Sequence, residues 1–179
     1  PVEYWKTLQR VLPQNPFLQC AVDEAYWDLY GRINGVSTRQ LLELGDKKEP
    51  PTSLTLSMGS KEEILDRMQA NPWPIHKIKS GKQHTVSDLV EMADAAPGKS
   101  CIEANASWAL RSTELTVNAL PKEKGQWIEQ PLDVGQDEGL RYLKNAPIDL
   151  CADESLRTRE DLAHCKTCYS VVNVKLMKC

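Results

Sequence analysis

His76-Lys77-Ile78-Lys79-Ser80-Gly81 is the stretch on which the fold turns. Side chains alternate faces along a strand, so Lys77 and Lys79 share one face and Ile78 takes the other. That pattern suits a strand with helices packed behind it and a polar site in front. Similar short apolar runs lie near residues 53–56, 74–78, 100–103, 126–129, 148–152 and 171–176. Helical patterns at 60–70, 86–95, 109–120, 137–145 and 158–165 separate them, with Ser60 and Glu63 set as a capping box and Thr158 opening the last with Asp161. Strand then helix, repeated with short connections, implies parallel strands and right-handed crossovers. The strand starts fall 21 to 26 residues apart. That regularity predicts an α/β fold of the (β/α) barrel class rather than an open doubly wound sheet, and no glycine fingerprint for a dinucleotide follows the first strand. A full barrel needs eight strands, and six are legible.

Ahead of this region the texture is helical. Asn15 can cap, Pro16 suits the first turn, and Phe17, Leu18, Ala21, Val22, Ala25, Tyr26 and Leu29 recur at helical spacing up to Gly31. A second helix is predicted over 38–44, stopping at Gly45, and 46–52 reads as a linker. The whole chain has 179 residues, 41% hydrophobic and 26% charged, with a net charge of −3. This is too apolar for disorder, and 22 basic among 25 acidic residues leave no basic stripe for nucleic acid. No apolar run approaches the roughly 18 residues of a membrane span. The chain starts at Pro1 without an initiator Met and stops at Cys179 after an apolar run, so it reads as an internal stretch of a protein nearer twice its size.

Six cysteines at irregular spacing do not resemble a disulfide scaffold and are read as reduced thiols of a cytoplasmic protein. Cys165 and Cys168 stand at metal or redox spacing, but no second pair completes a zinc site, so they read as two small apolar side chains at a helix end.

In a barrel of this class the site forms at the carboxyl ends of the strands. From Lys79 the steps to Glu103, Glu129, Asp153 and Lys175 are 24, 26, 24 and 22 residues, one charged group per βα unit. Three carboxylates from adjacent strands therefore converge, with a lysine before them and another after. Held close, they repel unless a cation joins them, and an all-oxygen set favours a hard ion such as Mg²⁺ over zinc.

These residues resemble a known family, the muconate-lactonizing subgroup of the enolase superfamily, and within it the dipeptide epimerases of the L-Ala-D/L-Glu epimerase type. Residues 21–31 look like the helix joining that family's α+β capping domain to its modified TIM barrel. Lys77-Ile78-Lys79, Glu103-Ala104-Asn105 with Trp108, Glu129-Gln130-Pro131, Asp153-Glu154-Ser155 and the run Asn173 to Lys178 look like its successive strand motifs. The resemblance implies that residues 1–50 end a capping domain and 51–179 carry strands one to six of the barrel. It implies Mg²⁺ on Glu103, Glu129 and Asp153, with Lys79 and Lys175 as the two acid/base catalysts. Lys77 would support Lys79, and Asn105 and Lys178 are further supporting residues; Lys178 is the rival for the Lys175 role, set on the opposite face if the strand stays regular. The implied activity is Mg²⁺-dependent epimerisation of a small-molecule dipeptide at the α-carbon of its C-terminal residue, through an enediolate. No nucleic-acid or membrane partner is implied, and a homo-oligomer stays open.

Glu103 departs from the pattern, since the family usually has Asp there, and the extra methylene lengthens its reach by about 1.5 Å. A non-catalytic relative with a weakened metal site is therefore one alternative; an o-succinylbenzoate synthase or a muconate cycloisomerase-type lyase on the same fold is another. Asn105-Ala106-Ser107 matches a glycosylation sequon and is read as coincidence.

Overall fold

The computed structural model describes residues 2–45 and 48–178. They form two compact units, one of residues up to 50 together with those from 174 onward, the other of residues 51–173. The linker signal begins on residues 46 and 47, which lie outside the described residues, as do Pro1 and Cys179.

The first unit holds α1 (Val2–Val11), α2 (Pro16–Asn34) and α3 (Thr38–Leu41). Asn15 caps α2 by accepting from the Leu18 N–H at 3.1 Å. The helix does not stop at Gly31. That glycine is buried within it, where a Cβ would meet the Val36 carbonyl oxygen at 2.6 Å. The terminator is Gly35, in the left-handed region at φ 66°. α3 is shorter than predicted because Glu43, at φ 52°, turns the chain out of the helix. Tyr4 and Tyr26 stack at 4.0 Å and join α1 to α2.

In the second unit the strands are β1 (Leu54–Leu56), β2 (Ile75–Lys79), β3 (Lys99–Glu103), β4 (Gly125–Glu129), β5 (Asp149–Ala152) and β6 (Val171–Val172). They pair in parallel in the order β1-β2-β3-β4-β5-β6. An order without reversal is that of a singly wound (β/α) barrel, whereas a doubly wound sheet reverses at a switch point. Helices α4 (Lys61–Ala70), α5 (Val86–Ala95), α6 (Leu110–Ala119) and α7 (Leu162–Cys168) fill the crossovers. The Ser60 box is present: Ser60 N–H donates to Glu63 Oε2 at 2.9 Å and Glu63 N–H to Ser60 Oγ at 3.2 Å.

Three elements differ from the sequence pattern. Residues 137–143 form a 3-10 helix rather than an α-helix, with Gly139 against Leu110 so closely that a Cβ would meet it at 2.7 Å. The segment opened by Thr158 begins as a 3-10 turn, Arg159–Asp161, before α7. β6 ends at Val172 rather than 176, because its partner β5 ends at Ala152 and the final rung is Asn173 N–H on the Ala152 carbonyl, at 2.8 Å.

The register sorts the two faces. Ile78, Ile102, Ile128 and Leu150 stand side by side on consecutive strands and are all fully buried. Behind them lie Ile64, Met68, Leu89, Met92 and Val117 from the helices, in one continuous core. One residue further along, Lys79, Glu103, Glu129 and Cys151 make the next row, facing the other way. The core thus anchors each strand directly behind the charged row.

Candidate active site

Glu103 and Glu129 end their strands, and Asp153 follows β5 by one residue. All three are buried, and each offers a carboxylate oxygen within 4.8 Å of the others. Among the described residues this is the one group of three or more carboxylates, imidazoles or thiols placed to hold a metal ion. The longer Glu103 side chain does reach the other two.

The lysines of β2 complete the charge pattern. Lys77 Nζ lies 3.2 Å from Glu103 Oε2 and 2.9 Å from Glu129 Oε2; Lys79 Nζ lies 3.2 Å from Glu103 Oε2. The Lys77 side chain is 18% exposed and that of Lys79 is 36%, so Lys77 sits deeper. Burial drives Lys77 toward its neutral form, but Glu129 and Glu103 outweigh it and hold its pKa above the ordinary lysine value. Burial likewise pushes Glu103 up, yet Lys77 and hydrogen bonds from Asn105 and Lys79 hold its carboxyl below the usual range.

Asn105 is the hub of the outer rim. Its Nδ2 donates to Glu103 Oε1 at 2.7 Å and to Glu154 Oε1 at 3.3 Å, while its Oδ1 accepts from Lys79 at 3.3 Å. Both ends of this amide are therefore engaged. Asn105, Ala106 and Gln130 have φ of 45°, 59° and 36°, left-handed conformations in the turns that follow two of the carboxylates. Such turns in residues other than glycine cost of order 1–3 kcal/mol each and are held by their surroundings.

Lys175 and Lys178 fall in the other compact unit. The regular strand needed to put them on opposite faces is absent beyond Val172; residues 176–178 turn, with Lys178 N–H on the Lys175 carbonyl at 2.9 Å. Asn173, still on the sheet, donates its side-chain amide to Glu129 Oε1 at 3.1 Å. Asn173 and Glu154 contact the site without having been singled out. Both lie inside quoted motifs, but Glu154 stands one residue off the 24-to-26-residue spacing of the carboxylates, and Asn173 is an uncharged amide that carries no charge pattern.

Cys165 and Cys168 are buried on α7 within the core. The described cysteines, Cys20, Cys101, Cys151, Cys165 and Cys168, form no disulfide. Burial pushes the Cys101 thiol up to about 12, which makes it inert. No described helix is long and apolar enough to cross a membrane.

Residues 60–179 match the enolase C-terminal domain-like family. The chain is 32% identical over 180 residues to an L-Ala-D/L-amino acid epimerase of Flavobacterium johnsoniae, covering 100% of this chain and 54% of that protein. It is 38% identical over 163 residues to an N-acetyl-D-glutamate racemase of a Pseudoalteromonas species, covering 88% and 50%. Among solved structures, an enolase family member from Agrobacterium tumefaciens with homology to dipeptide epimerases, holding sodium and L-Ala-L-Glu, superposes with a TM-score of 0.85 at 30% identity, over 97% of this chain and 53% of that one. The chain spans about half the length of the curated relatives it matches. Since the family match runs unbroken from α4 through every strand from β2 to β6, the chain belongs to the enolase C-terminal domain-like family.

Proposed function

We propose that the intact protein epimerises the C-terminal residue of a dipeptide by taking one proton off its α-carbon and returning it on the opposite face. The observation that carries this reading is the convergence of Glu103, Glu129 and Asp153 beside Lys77 and Lys79 at the carboxyl ends of adjacent strands. Three buried carboxylates form an all-oxygen donor set that fits a hard divalent ion, and they are the residues that would hold Mg²⁺. When bound, Mg²⁺ supplies positive charge where negative charge develops on the substrate carboxylate.

Lys79, the more exposed lysine of β2, is assigned as the base. In its neutral form it takes the α-proton, and the C–H electron pair moves into the adjacent carboxylate. Lys77, at the same face and more deeply buried, supports Lys79 by pairing with Glu103 and Glu129 beside it. Asn105 holds Lys79 in place through its 3.3 Å contact. Lys175 as ammonium returns the proton from the other side, with Lys178 supporting its segment; in the reverse direction the two lysines exchange roles. Residues 1–50 are assigned to the end of a capping domain and 51–179 to barrel strands one to six.

The named relatives support the substrate class, since a dipeptide ending in glutamate and N-acetylglutamate are both N-acyl glutamates. The relative at 38% identity favours the second of these as an alternative substrate. Incubating the intact protein with Mg²⁺ in D₂O, separately with L-Ala-L-Glu and with N-acetyl-L-glutamate, tests both. Deuterium at the glutamate α-carbon together with the opposite epimer is the expected result, and its absence from both substrates overturns the reading. In that event tight Mg²⁺ binding by calorimetry would favour the lyase alternatives, and no binding a non-catalytic relative.

A further inference from the structure

Behind the carboxylates lies a polar network that the reaction above does not use. Gln130 follows Glu129, is fully buried, and has a left-handed backbone at φ 36°. Its side-chain oxygen accepts from the N–H groups of Asp153, at 2.9 Å, and Ser155, at 3.0 Å. Its Nε2 lies within donating distance of the Leu132 carbonyl (2.9 Å), Ser155 Oγ (2.8 Å) and Tyr169 Oη (3.0 Å). Its own N–H donates to the Cys151 carbonyl and its carbonyl accepts from Ala106 N–H, so the residue touches the turns after β3, β4 and β5.

A second buried group sets the direction of this amide. Asp137 is 0% exposed and accepts the hydroxyl protons of Ser155, at 2.6 Å, and Tyr169, at 2.9 Å, and lies 2.8 Å from His164 Nε2. Both hydroxyls spend their protons on Asp137 and can therefore only accept from Gln130. The amide NH₂ must face them, which turns its oxygen toward the Asp153 and Ser155 N–H groups. A flipped amide would set NH₂ against two N–H donors, leaving buried groups unsatisfied.

We propose that Gln130 is a positioning residue, a strap that fixes Asp153 relative to Glu129 and so sets the spacing of the three carboxylates, with Asp137 keying its orientation. This rests on the reading that the three carboxylates hold a divalent ion. Groups that orient metal ligands from behind typically change metal affinity 10- to 100-fold when removed.

The test is titration of the intact protein with Mn²⁺ alone, read by paramagnetic resonance, beside amide hydrogen exchange at Asp153 and Ser155. The unaltered protein is expected to bind one ion with both amides protected. Gln130→Met, similar in length but without the amide, is expected to raise the Mn²⁺ Kd at least tenfold and to speed exchange at those two amides. Ser155→Ala, which keeps the Gln130 amide and loses one of its partners, is expected to raise Kd about threefold, and decides the matter if Gln130→Met does not fold. A lowered melting temperature with unchanged Kd in a folded variant overturns the strap. Failure of the unaltered protein to bind Mn²⁺ overturns the metal reading instead, whatever the exchange data show.

Discussion

Glu103 is held by both lysines of β2 and by Asn105 while belonging to the carboxylate cluster. Its folded carboxyl titrates below the usual value, so its contribution to stability is present above the unfolded pKa and is lost as pH falls through the folded one. Without added divalent ion, the urea midpoint is expected to drop as pH falls below about 4.3, the ordinary glutamate value, and Glu103→Gln is expected to flatten that limb. Lys79→Met is expected to slow deuterium incorporation by about 10²–10⁴, the range for loss of a general base, while leaving Mg²⁺ binding measurable by calorimetry; unchanged incorporation would remove Lys79 from the mechanism. Charged residues at a fixed spacing were legible because one ionic side chain per βα unit stands out against apolar strands. Gln130 and Asn173 were not, since what they do depends on partners 23 to 44 residues away in sequence.

The elements owe their limits to local chemistry in some places and to neighbours in others. The Ser60 box satisfies two backbone donors at the start of α4, so Ser60→Ala is expected to cost about 1 kcal/mol, read as a shifted urea midpoint with unchanged slope. Gly98 stands where a Cβ would meet the Pro74 carbonyl oxygen at 2.1 Å, beside the Lys99 N–H bond to that same carbonyl that opens the β2–β3 seam. Gly98→Ala must separate the two strands there and is expected to lower stability by about 1–3 kcal/mol. Caps and strand cores are written in adjacent residues and were readable. The 3-10 form of 137–143 and the early end of β6 are not: at Gly139 there is no room for a side chain beside Leu110, and β6 stops where its partner β5 runs out.

At the scale of the molecule, regular spacing of strands and helices gave away the sequential parallel order, because a crossover of nearly constant length leaves each strand only its predecessor to lie beside. The same order bears on how the protein acquires its structure. Among the described residues every rung joins residues 20 to 26 apart, from Cys151 with Val171 to Glu103 with Glu129, so each of these ladders closes a loop of similar size. The carboxylates are an exception to this evenness. The β3–β4 ladder brings two of them together and the β4–β5 ladder the third, so whichever ladder closes second does so against the charge its neighbour has already gathered. On the proposed reading that the cluster holds a divalent ion, added Mg²⁺ is expected to speed refolding, read as a faster stopped-flow phase, by offsetting charge beyond what Lys77 and Lys79 already pair.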